Sequence, residues 1–234
     1  MIACIILIAL GAIGLVFYLL EKCKRYSLKG VLIKTVVSLL FVATAMAGAF
    51  QNGGHVLNTF VIAGLVMGLL GDIWLDLKYV YPKDDKLFTY AGFIVFAIGH
   101  ILFVTGMMLE FYDGWNFLWF LIPVGGSILF VIANLLLEKP MKQSFKGYKV
   151  IVSIYAFLLA MNPLTALLIC IQTGWAVPTL IMLLVGGVLF AVSDLVLSGT
   201  YFGKGHEKPI DFILNYLTYY GAQFVIAFSL FFLI

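Results

Sequence analysis

Residues 56–79 read VLNTFVIAGLVMGLLGDIWLDLKY. The stretch up to Gly71 carries no charge, and Asp72, Asp76 and Lys78 then follow within two helical turns. A bilayer core needs about 20 mostly apolar residues per helix, so this run reads as a membrane span with carboxylates near one end. Gly64-x-x-x-Gly68 inside it is a helix-contact pattern and says nothing about chemistry.

The rest of the chain repeats the pattern. Spans are expected near residues 2–20, 31–50, 56–79, 87–109, 115–137, 148–171, 176–198 and 209–232. The predicted fold is therefore all-α: one integral membrane domain over residues 1–234, a polytopic bundle of eight transmembrane helices. No basic stretch precedes the first apolar run, so that run reads as a retained span and not a signal peptide. Composition agrees. Of 234 residues, 64% are hydrophobic and 11% charged, against about 45–50% and 25% in soluble domains. A water-soluble globule keeps roughly a quarter of its unfolded-chain surface wet even at large size. Soluble enzymes, disulfide scaffolds, disordered chains and nucleic-acid binders are excluded. The net charge of +3 is too small to point to a polyanion. Cys4, Cys23 and Cys170 are isolated, lack metal-ligand spacing and read as apolar filler.

Charge orients the bundle. Lys22, Lys24, Arg25 and Lys29 follow the first span, Lys78, Lys83 and Lys86 the third. Lys139, Lys142, Lys146 and Lys149 follow the fifth, Lys204 and Lys208 the seventh. The even-numbered connections have no Lys or Arg, and Lys34 lies just inside span two at the same end. Basic loops are cytoplasmic by the positive-inside rule, so both termini lie outside. A bacterial inner membrane and an endoplasmic-reticulum membrane both satisfy this pattern.

Ionisable groups inside spans are expensive, at least ~2.5 kcal/mol for a central charge on insertion scales, and mark function by default. The candidates are Lys34, Asp72, Asp76, His100 and Asp194, with Asn215, Tyr219, Tyr220 and Gln223 in the last span. From a rise of ~1.5 Å per residue, Asp72 and Asp194 fall at similar depth in the cytoplasmic half. Lys34 is one turn in, Asn215 to Gln223 climb from that level, and His100 is near the middle. The groups converge on a polar pocket. Gly64–Leu75 (GLVMGLLGDIWL) echoes Gly186–Leu197 (GGVLFAVSDLVL), which points to a four-plus-four repeat with the two aspartates facing across it.

Each residue also has a plainer reading. Asp72 and Asp194 serve as ion-pair partners for Lys34. Asp76 is a solvated boundary carboxylate, and Lys34 snorkels. His100 bridges two helices. Tyr219 and Tyr220 point ~100° apart, so one of them packs. His55, His206, Asp84, Asp85, Glu110 and Asp113 sit at loop edges and are expected in water. Two buried carboxylates divide acid and base work when their surroundings differ. No Ser-His-Asp arrangement, G-x-S-x-G, H-x-x-x-H or H-E-x-x-H is present, so neither metal nor cofactor is expected.

With Lys34, Gly71-Asp72-x-x-Leu75, FTYAGFIVFAIGHILFV, GGVLFAVSDLVL and Tyr219-Tyr220-x-x-Gln223 in this order, the chain resembles the YhhN-like lysoplasmalogenase family of eight-span membrane proteins. Phe103 stands where the family's span-four pattern carries a tyrosine. The resemblance covers essentially the whole chain. It implies hydrolysis of the vinyl-ether bond of lysoplasmalogens to a fatty aldehyde and a glycerophospho-ethanolamine or glycerophospho-choline, with a lysophospholipid drawn from the bilayer. Asp194 is then the expected acid and Asp72 the expected base, held by Lys34 and His100. Tyr219 or Tyr220, with Gln223, orients water or the glycerol oxygen, and the loops around Lys78 and Lys204 receive the phosphate. A small-solute or proton-coupled transporter and a metal-dependent lipid hydrolase are the competing readings.

Overall fold

A computed structural model describes residues 1–22, 27–114, 116–203 and 208–233. The expectations for Cys23, Lys24, Arg25, Trp115, Lys204 and His206 lie outside these residues. The described chain is helical, 87% of it, with no strand. Eight helices follow in order: α1 Ile2–Lys22, α2 Leu28–Gln51, α3 Val56–Val80, α4 Asp85–Phe111, α5 Leu121–Leu137, α6 Lys149–Gln172, α7 Pro178–Phe202 and α8 Pro209–Ser229. Among the described residues seven are long and apolar enough to cross a membrane. The eighth, α8, is as long as α1 at 21 residues, but Asn215, three tyrosines and Gln223 dilute its apolar run.

The ends follow from local chemistry. Ser27 caps α2 by accepting the Gly30 N–H at 3.2 Å, which satisfies one of the unpaired first-turn donors. Pro178 and Pro209 open α7 and α8, where a missing N–H costs nothing. The expected fifth span begins instead as a 3₁₀ turn over Phe117–Phe120, capped by Asn116, before α5.

Helices α2, α3, α4, α6, α7 and α8 form a closed ring in that order, with α1 packed outside on α2 and α5 outside on α6. The tightest seam is α3 against α4. Gly64 and Gly71 of α3 face the rings of Phe103 and Phe96, and Gly92 of α4 faces Leu75; a Cβ at any of the three would lie within 2.4 Å of its neighbour. Side chains this small let membrane helices approach closely where no hydrophobic force draws them together. The outward faces stay apolar: Ile2 is 77%, Val150 75% and Leu136 72% exposed. Contiguous apolar surface of that kind fits lipid, not water.

A turn between α5 and α6 closes one end of the ring. Ser144 N–H donates to Phe202 O at 2.8 Å, Ser198 donates to Gln143 Oε1 at 2.8 Å, and Tyr90 donates to Gly147 O at 2.6 Å. Glu138 accepts the Phe145 N–H at 2.9 Å and pairs with Lys149 at 3.2 Å.

Candidate functional site

Asp72 and Asp194 each lie sixteen positions past the start of a 25-residue helix, α3 and α7. One cavity has both on its wall, together with Lys34, Asn215 and Tyr219 from the expected set. Leu75, Phe93, Phe96, Tyr155, Ser193, Leu197, Tyr201 and Tyr216 complete it.

The two carboxylates keep different company. Lys34 Nζ lies 3.1 Å from one oxygen of Asp72. The other oxygen accepts from Ser38 at 2.6 Å and from Tyr219 at 2.9 Å. Gln223 in turn donates to the Tyr219 hydroxyl at 2.9 Å, so α8 presents a two-residue relay to Asp72. Asp194 has one hydrogen-bonding partner among the described residues, the hydroxyl of Tyr155 on α6. Asn215 lies beside it and ties α8 to α7 by donating to Ser193 O and Oγ at 2.9 and 3.0 Å.

Several expectations change. Asp76 is not a solvated boundary group: it is 7% exposed and lies between Lys22 at 3.2 Å and Lys34 at 3.3 Å, with the Tyr18 hydroxyl donating at 2.7 Å. The reason is α1, which covers that end of α3 and brings in Lys22. Lys34 does not snorkel; it is 4% exposed and its ammonium is spent on two carboxylates. Among the described residues His100 does not hold Asp72 and makes no hydrogen-bonded bridge between helices. Both of its ring nitrogens are buried without a hydrogen-bond partner, and its ring sits among Phe190, Tyr155 and Phe103 with centroids 4.8, 5.7 and 6.2 Å away. Tyr219 and Tyr220 do diverge. Tyr219 lines the cavity, while Tyr220 stands behind it, 3.2 Å from Ser38 Oγ. At the far end of the bundle His55 and Glu110 meet at 2.6 Å and do not stand free in water. Asp85 pairs with Lys78 at 3.6 Å, and Lys78 lies over the Tyr201 ring at the cavity wall.

Tyr155, Ser38, Lys22 and Tyr18 were not singled out from the sequence. Ser38 had a signal, since it is one turn beyond Lys34 on the same face. Tyr155 had a fainter one: it precedes Asp194 by 39 residues, as Lys34 precedes Asp72 by 38. Lys22 read as a loop residue because it ends its helix.

Chemically the cavity offers one charge-balanced carboxylate, one carboxylate on a phenol, amide and hydroxyl groups, and an aromatic wall. Among the described residues no three His, Cys, Asp or Glu side chains converge to hold a metal ion. No curated protein and no solved structure matches the chain. A family profile does match, over residues 30–230, which takes in α3 to α8 and nearly all of α2. The chain therefore belongs to the YhhN family.

Proposed function

We propose that this chain is an intramembrane hydrolase of the vinyl-ether bond of lysoplasmalogens, working by aspartate acid–base catalysis. YhhN membership supports a lysoplasmalogenase-type activity. The observation that carries the mechanism is the single cavity with two aspartates in unlike surroundings. Lys34 balances a negative charge on Asp72. Among the described residues Asp194 has only a hydroxyl for a hydrogen-bonding partner, and a proton on it leaves no buried charge without a cation beside it.

In this reading Asp194 gives its proton to the outer alkene carbon, the bond electrons move toward oxygen, and an oxocarbenium ion forms. The negative charges of Asp194 and Asp72 stabilise it. Water adds to the carbon bearing oxygen as Asp72 takes its proton. The hemiacetal then collapses: its hydroxyl proton returns to Asp194, Asp72 protonates the departing glycerol oxygen, and both residues are reset. Net, one water is consumed per aldehyde and alcohol released. Tyr219 fixes Asp72, and Asn215 and Lys34 face the glycerol side. Lys78, on the Tyr201 ring, stands where a lipid phosphate would approach.

The same reading places the basic loops on the cytoplasmic side and both termini outside, in keeping with the charge pattern. It also takes the two halves as a four-plus-four repeat. The neighbour pairs α1–α2, α2–α3, α3–α4 and α2–α8 recur as α5–α6, α6–α7, α7–α8 and α6–α4, which supports it.

The test is aldehyde release by purified protein in detergent from a lysoplasmalogen, run in D₂O as well. Wild type is expected to release aldehyde carrying deuterium next to the carbonyl. Asp72→Asn and Asp194→Asn are each expected to lose activity by about 10²–10⁴-fold, the usual worth of a positioned acid or base. No aldehyde from folded wild type, or near-normal turnover by either variant, would overturn the proposal.

A further inference from the structure

Beside the cavity that holds both aspartates lies a second, mostly apolar one. The two share a partition made by Phe93, Tyr155, Asp194, Leu197 and Tyr201. Beyond it the second cavity is walled chiefly by apolar side chains: Phe130 of α5, Val152, Ala156 and Leu159 of α6, and Leu195 and Phe202 of α7. Asp194 is the one carboxylate common to both; Asp72, Lys34 and Asn215 belong only to the first. The second cavity also has a way out. Among the described residues helix α5 packs extensively on α6 and has no comparable seam with α4 or α7. Leu195, on the cavity wall, is 41% exposed at the bundle surface.

We propose that this second cavity seats the first carbons of the single hydrocarbon chain of the lipid substrate, the rest of the chain running out between α5 and α7 into the bilayer. The identity of that lipid rests on the hydrolase reading above. A phosphate headgroup is a poor occupant: among the described residues Asn134 and Ser198 are on this wall but no Lys or Arg is, and the Asp194 carboxyl is, so burying a phosphate charge there without a cation is costly. A hydrocarbon chain loses nothing there relative to the bilayer. The seating also fixes the chemistry by position. In a vinyl ether the carbon to be protonated is the one nearer the chain, and the carbon that takes water bears the ether oxygen. With the chain in the second cavity, the chain-side carbon comes to the partition and meets Asp194. The oxygen-side carbon projects into the first cavity toward Asp72 and Asn215. Asp194 is the acid because of where it stands between the two spaces.

Two measurements test this. Ala156→Phe fills the apolar cavity from α6. It should lower kcat/KM for a hexadecenyl substrate relative to a propenyl one by about tenfold or more, the scale on which an apolar pocket discriminates chain atoms. Independently of turnover, wild-type protein is labelled by light with a single-chain ether lysophospholipid carrying a diazirine at mid-chain. The label is expected on peptides of α5, α6 and α7, and is expected to fall in Ala156→Phe. Leu195→Trp, at the portal, should slow labelling where Ala156→Phe does not fold. An unchanged chain-length ratio with label on other helices would overturn the chain site while leaving vinyl-ether hydrolysis standing. Label on α5 to α7 with no aldehyde from any vinyl ether would keep the chain site and remove the hydrolase reading.

Discussion

Lys34→Met isolates the buried charge network. Lys34 Nζ lies 3.1 Å from Asp72 and 3.3 Å from Asp76, and Lys22 also reaches Asp76 at 3.2 Å. Removing Lys34 therefore leaves Asp76 paired and Asp72 without a cation. At an effective dielectric of about 20, a contact near 3 Å is worth about 5 kcal/mol of attraction, but the wild-type pair has already lost much of that to desolvation. The measurable cost is that of leaving one buried charge alone, about 3–5 kcal/mol. For a chain of this length that corresponds to a fall in Tm on the order of 10 °C. Thermal unfolding in detergent, followed by tryptophan fluorescence, reads it. The double variant Lys34→Met/Asp72→Asn should recover about 2–3 kcal/mol, since the orphaned charge is gone. Lys34→Met/Asp76→Asn should recover little, because Asp72 is still left without its cation. If Lys34→Met unfolds within a degree or two of wild type, or if both double variants recover equally, the paired network is wrong and Lys34 reaches the membrane surface instead.

Three further outcomes are expected. Tyr155→Phe removes the hydrogen-bonding partner of Asp194 and should lower kcat roughly tenfold with KM little changed; a KM effect alone would make Tyr155 a binding group. Gly71→Ala drives a Cβ to 2.4 Å from the Phe96 ring, so it should cost about 1–3 kcal/mol of stability by overpacking, and an unchanged Tm would mean that α4 is free to retreat. In the α5–α6 turn, the Phe145 N–H, then Lys149, hold the Glu138 carboxyl below its usual range. A lowered folded-state value contributes stability above the unfolded value, near pH 4, and loses it as pH falls. Glu138→Gln should therefore be less stable than wild type at neutral pH and indistinguishable from it near pH 3; a gap that persists at low pH would assign the effect to packing.

The helices were legible in the amino-acid sequence. Apolar run length and Gly, Pro and Ser punctuation are local properties, so the eight segments and their ends fall within a few residues of expectation, apart from the 3₁₀ start before α5. Depth follows from counting residues along a fixed rise, and Asp72 and Asp194 do lie at matching positions in their helices. Which side chains touch was not legible in the sequence and came from the packing of the helices. A membrane helix that is apolar nearly all round does not reveal by its pattern which face is buried. Its rotation about its own axis is set by small-residue seams such as Gly64, Gly71 and Gly92, which involve the neighbouring helix. That rotation gave Asp72 its Ser38 and Tyr219 partners and gave Asp194 the hydroxyl of Tyr155. It also set His100 in an aromatic nest away from both. Asp76 shows the same limit from the other side. Its position along α3 is that of a boundary residue, and it is buried only because α1 folds back across the chain and delivers Tyr18 and Lys22 to it.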